Sequence, residues 1–319
     1  MLEAPPAGQS LAAALVEHKR WIEAAVQRVG GVLLRGFDVP DVVAFRSFAA
    51  GFGHPLLSYE FASTPRSAVS GGVYTSTEYP AHQHIPLHNE QAYTREWPMK
   101  IWFHCVTASP VGGETPIADS RAIYRRMPAA IRHRFAEGLI YVRNYDSDFD
   151  VPWQQVFNTD QRSEVEAFCR RTHIEWQWKD DGTLRTLQRC QGVERHPRTG
   201  EPVWFNQAHL FHASNLQAEV RESLEDMLGT DNLPRNVLFA DGSAIDDSML
   251  DDVRAVLAQE TVIFPWQAGD VLMLDNMLAA HARTPFEGAR KVVVAMAESH
   301  GNLHSNLHGN LDGNLHSNP

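Results

Sequence analysis

The run Pro86-Leu87-His88-Asn89-Glu90 places an imidazole and a carboxylate two residues apart, and a second imidazole, His281, stands far downstream. Two His and one carboxylate form the facial triad of a non-haem Fe(II) site, which fills one face of an octahedral ion and leaves the other open. A keto-acid cosubstrate and O2 need those open positions. Side chains two apart on an extended strand share a face. His88 and Glu90 can therefore address one ion from a single segment, with Asn89 pointing elsewhere. Pro86 suits an extended approach.

His-x-Glu alone is a weak signal. The chain has 16 His, and His173-Ile174-Glu175 repeats the pattern among Arg170, Arg171 and Lys179, where it reads as a solvated charged segment. The bland reading of such a pair is a surface strand or a helix start. The downstream half weighs more. Gly269-Asp270-Val271-Leu272-Met273-Leu274-Asp275-Asn276 reads as a strand entered through a tight turn, and His281 closes the following Met277-Leu278-Ala279-Ala280. Arg290 comes next, ahead of another apolar run. A guanidinium can hold a carboxylate bidentately at the bottom of a pocket, and the Thr115 hydroxyl can share that work. Their ordinary alternatives are a rim salt bridge and a turn residue.

These side chains need a frame. The 319 residues, 43% of them hydrophobic, suffice for a sizeable core in one large or two small domains. A net charge of −11, from 28 basic and 39 acidic residues, argues against nucleic-acid or anionic-membrane partners. Cys105, Cys169 and Cys190 are widely spaced without a CxxC pair. That disfavours thiolate metal sites and fits a reducing compartment. The N-terminus lacks a signal-peptide pattern, and no apolar run approaches the ~20 residues of a membrane span. A soluble, cytoplasmic protein is expected.

Apolar periodicity predicts helices over 10–29, 42–52, 120–135, 163–171, 216–228 and 248–259. Strands are expected at 32–37, 99–108, 140–143, 184–190, 203–206, 262–264, 271–274 and 291–296. Residues 63–86 read as a long loop, with 70–85 a candidate lid. Helices interrupting many short strands without βαβ alternation favour a mainly β fold, a double-sheet core with helices outside. Trp97, Trp102, Phe103 and Trp204 read as core. Residues 1–298 are expected to form one domain. Residues 299–319 hold the repeat GNLH SNLH GNLD GNLH SNP and read as a disordered tail. Its Gly, Asn and Ser are too helix-poor to align His304, His308 and His316 into a specific metal site.

Four ordered segments, PLHNEQAYTREWPMKIWFHC, GGETPIADSR, VWFNQAHLFHASN and DNMLAAHARTPFEGARK, resemble the taurine dioxygenase family of Fe(II)/2-oxoglutarate-dependent oxygenases. The chain is similar in particular to its syringomycin-type aspartyl hydroxylase branch, from non-ribosomal peptide and siderophore pathways. The resemblance implies a double-stranded β-helix (jelly-roll) core, and Fe(II), 2-oxoglutarate and O2 as cofactors. It implies His88, Glu90 and His281 as iron ligands, and Thr115 and Arg290 as holders of the distal carboxylate of 2-oxoglutarate. Lys291 and Arg283 are neighbouring candidates for that second role. Asn89, Asn206 and His209 become candidate substrate contacts. Glu90 occupies the position that a related halogenating group leaves open for chloride, so hydroxylation is implied instead. The expected reaction hydroxylates an unactivated C–H of an amino acid, free or tethered to a peptidyl carrier protein, in specialised-metabolite (antibiotic) biosynthesis. The alternatives are a catabolic taurine/sulfonate-type dioxygenase and a non-catalytic metal-binding jelly-roll module. The catabolic role wants further cations, and no second Arg follows Arg290 deeper on its strand.

Overall fold

Strand Glu96–Thr107 is buried along almost its whole length, and its two faces meet different neighbours. In this computed structural model, which describes residues 1–58, 67–76, 79–146 and 148–303, Trp102 packs with Ile22, Phe45 and Phe48 of helices Leu11–Val29 and Val42–Ala50. Ile101, Phe103 and Cys105 face the other way, onto Leu272, Leu274, Val292 and Val294. The same alternation runs through its neighbours. Val271, Met273, Val293 and Ala295 join the helix side. Side chains alternate across a strand, and strands covered on both faces read as continuous apolar runs.

These strands form the centre of a seven-stranded sheet, ordered Leu2–Glu3, Gly31–Arg35, Val271–Asp275, Glu96–Thr107, Lys291–Gly301, Val73–Thr75 and Ala68–Ser70. Every pairing in it is antiparallel except the first. A three-stranded sheet, Ile85–His88, Ala279–Arg283 and Ile117–Asp119, carries the candidate ligands. Its Ala279 shares an apolar cluster with the inward face of the large sheet. A four-stranded sheet, Ile174–Trp178, Leu184–Cys190, Leu139–Tyr145 and Arg235–Phe239, lies with the later helices. The chain is thus mainly β with helices. No helix among the described residues is long and apolar enough to cross a membrane.

Several elements depart from the sequence reading. The helix expected over 120–135 is two, Ser120–Arg126 and Ala129–Ala136, because Pro128 lacks the N–H an unbroken helix would use. Residues 262–264 form no strand; Val262 makes only an isolated bridge to Ile117. Strands Ile174–Trp178 and Arg235–Phe239 were not legible as apolar runs, since their burial alternates. The second His-x-Glu motif is resolved here. His173 ends helix Arg162–Thr172 in a left-handed conformation, and Glu175 is exposed.

The expected boundary at 298 falls inside strand Lys291–Gly301 and is corrected. Asn302, only 8% exposed, continues the fold. Its backbone N–H donates to Arg95, and its side chain donates to Gln191 Oε1 at 3.1 Å. His304, His308 and His316 lie outside the described residues.

Trp102 is fully buried between sheet and helices. Trp102→Ala is expected to cost about 3–5 kcal/mol, read as a lower urea midpoint with an unchanged slope.

Candidate active site

His88 and His281 are direct cross-strand partners, with ring centroids 4.4 Å apart. The register shifts between His281 and Arg283, an irregularity of the kind that re-aims side chains beside active sites. Phe103 from the large sheet meets the His281 ring at 5.0 Å. That aromatic was expected only as core and also walls the site. Trp97, Trp102 and Trp204 are core as expected.

Glu90 is not on the strand with His88. Strand Ile85–His88 ends at His88, and Glu90 sits in the turn that follows, beside Gln91 at φ 55. The shared-face argument therefore does not explain its placement. Asn276 does. Its amide oxygen accepts from the Glu90 N–H at 2.7 Å, and its nitrogen donates to the Glu90 and Pro98 carbonyls, each at 2.9 Å. The outcome is a cluster in which one ligand-type atom each from His88, Glu90 and His281 lies within 4.8 Å of the others. His281 Nε2 stands 4.0 Å from Glu90 Oε2. His88 Nδ1 bonds the Pro86 carbonyl at 2.9 Å, so Nδ1 carries the proton and Nε2 keeps its lone pair. Two imidazoles and a carboxylate are a donor set suited to Fe(II).

Asp275, just before Asn276, shapes the return of the chain. Its Oδ1 accepts from the N–H groups of Met277 and Leu278 at 3.0 and 3.1 Å, and Oδ2 pairs with buried His196 at 3.1 Å. This turn leads straight into strand Ala279–Arg283 and His281.

Two cavities meet at the cluster, and His88 and Ile85 line both. In the first, Thr115 and Arg290 lie together beside Phe103 and His281. Arg290 Nε donates to the Gly113 carbonyl at 2.8 Å and Nη1 to Ser76 Oγ at 3.3 Å. It has no carboxylate partner among the described residues, and burial lowers its pKa to about 10, helped by the nearby Arg283. A half-buried guanidinium of this kind calls for an anion. Thr115 Oγ1 accepts from Trp266 Nε1 at 3.0 Å. Gly113, at φ 75, lets the chain pass close by, because an added Cβ would stand 2.9 Å from Arg290 Cδ. Lys291 is exposed. Arg283 lines the cavity but donates to the carbonyls of Tyr79, Pro80 and Gln83 at 2.8–3.0 Å. It fastens the segment read as a lid.

The second cavity, of about 220 Å³, is walled by that segment, through Tyr79, Gln83 and His84, and by Gln207, Phe211 and Arg235. Asn89, Asn206 and His209 do not line it. Asn89 Nδ2 donates to Ser120 Oγ and to the Asn276 carbonyl at 3.1 and 2.6 Å. Asn206 Nδ2 donates to the Gly192 carbonyl at 2.6 Å. His209 Nε2 bonds the Leu87 carbonyl at 2.8 Å, and complete burial lowers its pKa to about 4, so it is neutral at ordinary pH. These three brace the backbone around the cluster. Sequence reasoning missed Asn276, Gln207 and Arg235. The available signals were two polar residues closing a buried strand, and a lone Arg at the start of Arg-Asn-Val-Leu-Phe.

Ligand-type side chains converging beside a half-buried guanidinium with no carboxylate partner among the described residues define an enzyme that works with a metal and an anionic cosubstrate. The family described as taurine catabolism dioxygenase TauD, TfdA matches residues 4–296, and the chain belongs to it. It is a 2-oxoglutarate-dependent dioxygenase, and its cofactors are Fe(II), 2-oxoglutarate and O2. It is 41% identical to the dapdiamide synthesis protein DdaC of Enterobacter agglomerans over 278 residues, 87% of this chain and 84% of that one. A clavaminate synthase-like protein of Arabidopsis thaliana is 31% identical over 292 residues, 88% and 85% of the two chains. The PvcB protein of Pseudomonas aeruginosa shares the fold at a TM-score of 0.55 and 17% identity, covering 92% of this chain and 84% of its own. So does AAD-2, solved with Mn(II) and N-oxalylglycine, at 0.53 and 15%, covering 91% of each chain.

Asn276→Ala removes three hydrogen bonds and strands the Glu90 and Pro98 backbone groups in a dry site. A loss of at least about 3 kcal/mol is expected, from about 1–3 kcal/mol for each of the three stranded groups. Denaturant titration checks it, together with weakened Fe(II) binding by calorimetry.

Proposed function

We propose that His88, Glu90 and His281 hold Fe(II), that Thr115 and Arg290 receive the distal carboxylate of 2-oxoglutarate, and that the enzyme hydroxylates an unactivated C–H of an amino acid in specialised-metabolite biosynthesis. The observation that carries this is the pairing of the three-residue cluster with the adjoining unpaired Arg290. The likeness to a dapdiamide synthesis protein supports a biosynthetic setting over sulfonate catabolism. The amino acid is free or presented on a carrier protein. The large sheet and the three-stranded sheet would then be the walls of a jelly-roll core, a reading supported by the cluster that joins Ala279 to Phe103 and Val294.

When bound, iron with 2-oxoglutarate and O2 supplies the oxidising power for the C–H bond. The chain's own residues do the rest. The His88 and His281 pairing and the Asn276 clamp fix donor positions before any metal arrives. Arg290 remains a cation at neutral pH and orients the cosubstrate through charge-assisted hydrogen bonds. Phe103, Val292 and Val294 line its cavity and keep water out.

His88→Ala is expected to lose the single equivalent of bound iron, measured by elemental analysis, along with substrate-dependent succinate release; retention of both would sink the triad. Gly113→Ala pushes a methyl against Arg290. It is expected to raise KM for 2-oxoglutarate by roughly tenfold, the loss of about one charged hydrogen bond, with iron content unchanged.

A further inference from the structure

The second cavity holds a cation that the reading above does not use. Arg235 lines it together with His88 and Glu90, and its side chain is 26% exposed. Its Nε and Nη2 grip Asp150 bidentately, at 2.8 and 2.7 Å. Asp150 is already taken. Its Oδ2 also accepts from Arg143 Nε at 3.1 Å, and its Oδ1 from the Val151 N–H at 2.8 Å. Neither Arg pairs with another carboxylate among the described residues. Two guanidiniums thus share one carboxylate, and the group keeps one surplus positive charge.

The geometry directs that surplus. Asp150 fastens the Nε–Nη2 edge of Arg235, and Arg143, which shares Asp150, is itself 6% exposed with a buried Nη2 that has no partner among the described residues. The remaining nitrogen of Arg235, Nη1, has no hydrogen-bond partner among the described residues. The guanidinium carbon stands 5.5 Å over the Phe211 ring, which lines the same cavity. A rim salt bridge would need one Arg and one carboxylate in water. Here the second Arg costs desolvation that the pair with Asp150 only partly offsets, and an incoming anion completes the balance.

We propose that Arg235 is the receptor for the substrate: the molecule oxidised carries a free oxyanion, a carboxylate foremost, which seats on Arg235 while the carbon to be oxidised faces the His88–Glu90–His281 cluster. This rests on the iron-site reading above. It narrows the substrate to anionic small molecules. An amino acid tethered through its α-carboxyl has that group masked as a thioester, so it fits only if its side chain supplies the charge. Sulfonates and phosphonates share the chemistry and are separated by experiment.

The test is anaerobic calorimetry on the full chain loaded with Fe(II) and saturating 2-oxoglutarate, so that Arg290 is occupied. The probes are the free L-amino acids, each against its α-carboxamide, the pairs Asp/Asn and Glu/Gln, taurine and 2-aminoethylphosphonate. At least one oxyanion should bind roughly tenfold or more tightly than its uncharged counterpart, as expected for a hydrogen bond to a charged group. Arg235→Gln should abolish that preference with the 2-oxoglutarate dissociation constant unchanged, and Arg235→Lys should keep part of it. If Arg235→Gln does not fold, the wild-type preference and its partial loss in Arg235→Lys decide. Equal binding of acids and amides, a preference that survives in Arg235→Gln, or no binding by any oxyanion overturns the receptor. Failure of iron or 2-oxoglutarate to bind overturns the triad reading itself, and the receptor with it.

Discussion

Asn276 takes hold of the backbone of one residue from both sides. It accepts from the Glu90 N–H and donates to the Glu90 carbonyl, while a second donor hydrogen reaches Pro98 on the neighbouring segment. A residue in a turn has no ladder to fix it, and Glu90 is such a residue. Around this clamp Gln207 donates to the Asn89 carbonyl at 2.8 Å, and His209 meets the Leu87 carbonyl. All of these groups are dry. In a low-dielectric setting a fully satisfied network is rigid, and a half-satisfied one is costly. The carboxylate is therefore placed by polar side chains from distant parts of the chain, whereas the two imidazoles are placed by strand pairing.

Charge follows a similar division between global and local. The chain carries a net charge of −11, yet both cavities at the cluster are walled by Arg. Arg290 stands in one without a carboxylate, and Arg235 in the other with a shared one. The two cavity cations act on what enters.

Much of this was written plainly in the sequence. The strands read at 99–108, 271–274 and 291–296 were legible because both faces are buried, and a doubly covered strand needs an unbroken apolar run. His88, Glu90 and His281 could be read as a set because their types match one ion. What could not be read depends on tertiary partners. Asn89, Asn206 and His209 looked like substrate contacts because polar residues in a shared segment suit binding and bracing equally; only their partners decide. A single Arg heading a short strand is a faint signal for Arg235, and it gains meaning only once Asp150 and Arg143 are seen beside it. The break at Pro128 was there to be read and was outweighed by the apolar period around it.

The end of the last strand ties the fold to its chemistry in a way the repeat sequence beyond it conceals. Asn302 donates to Gln191 Oε1, and the amide nitrogen of Gln191 donates to the carbonyls of Ala92 and Thr94, in the turn that begins at Glu90. Two side chains thus make a short mechanical linkage from the C-terminal segment to the peptides just past the carboxylate. Tension on the chain beyond Leu303, from a fused partner or an immobilising surface, is carried along that linkage to the back of the turn. Asn302 is thus a handle on the site as well as part of the fold.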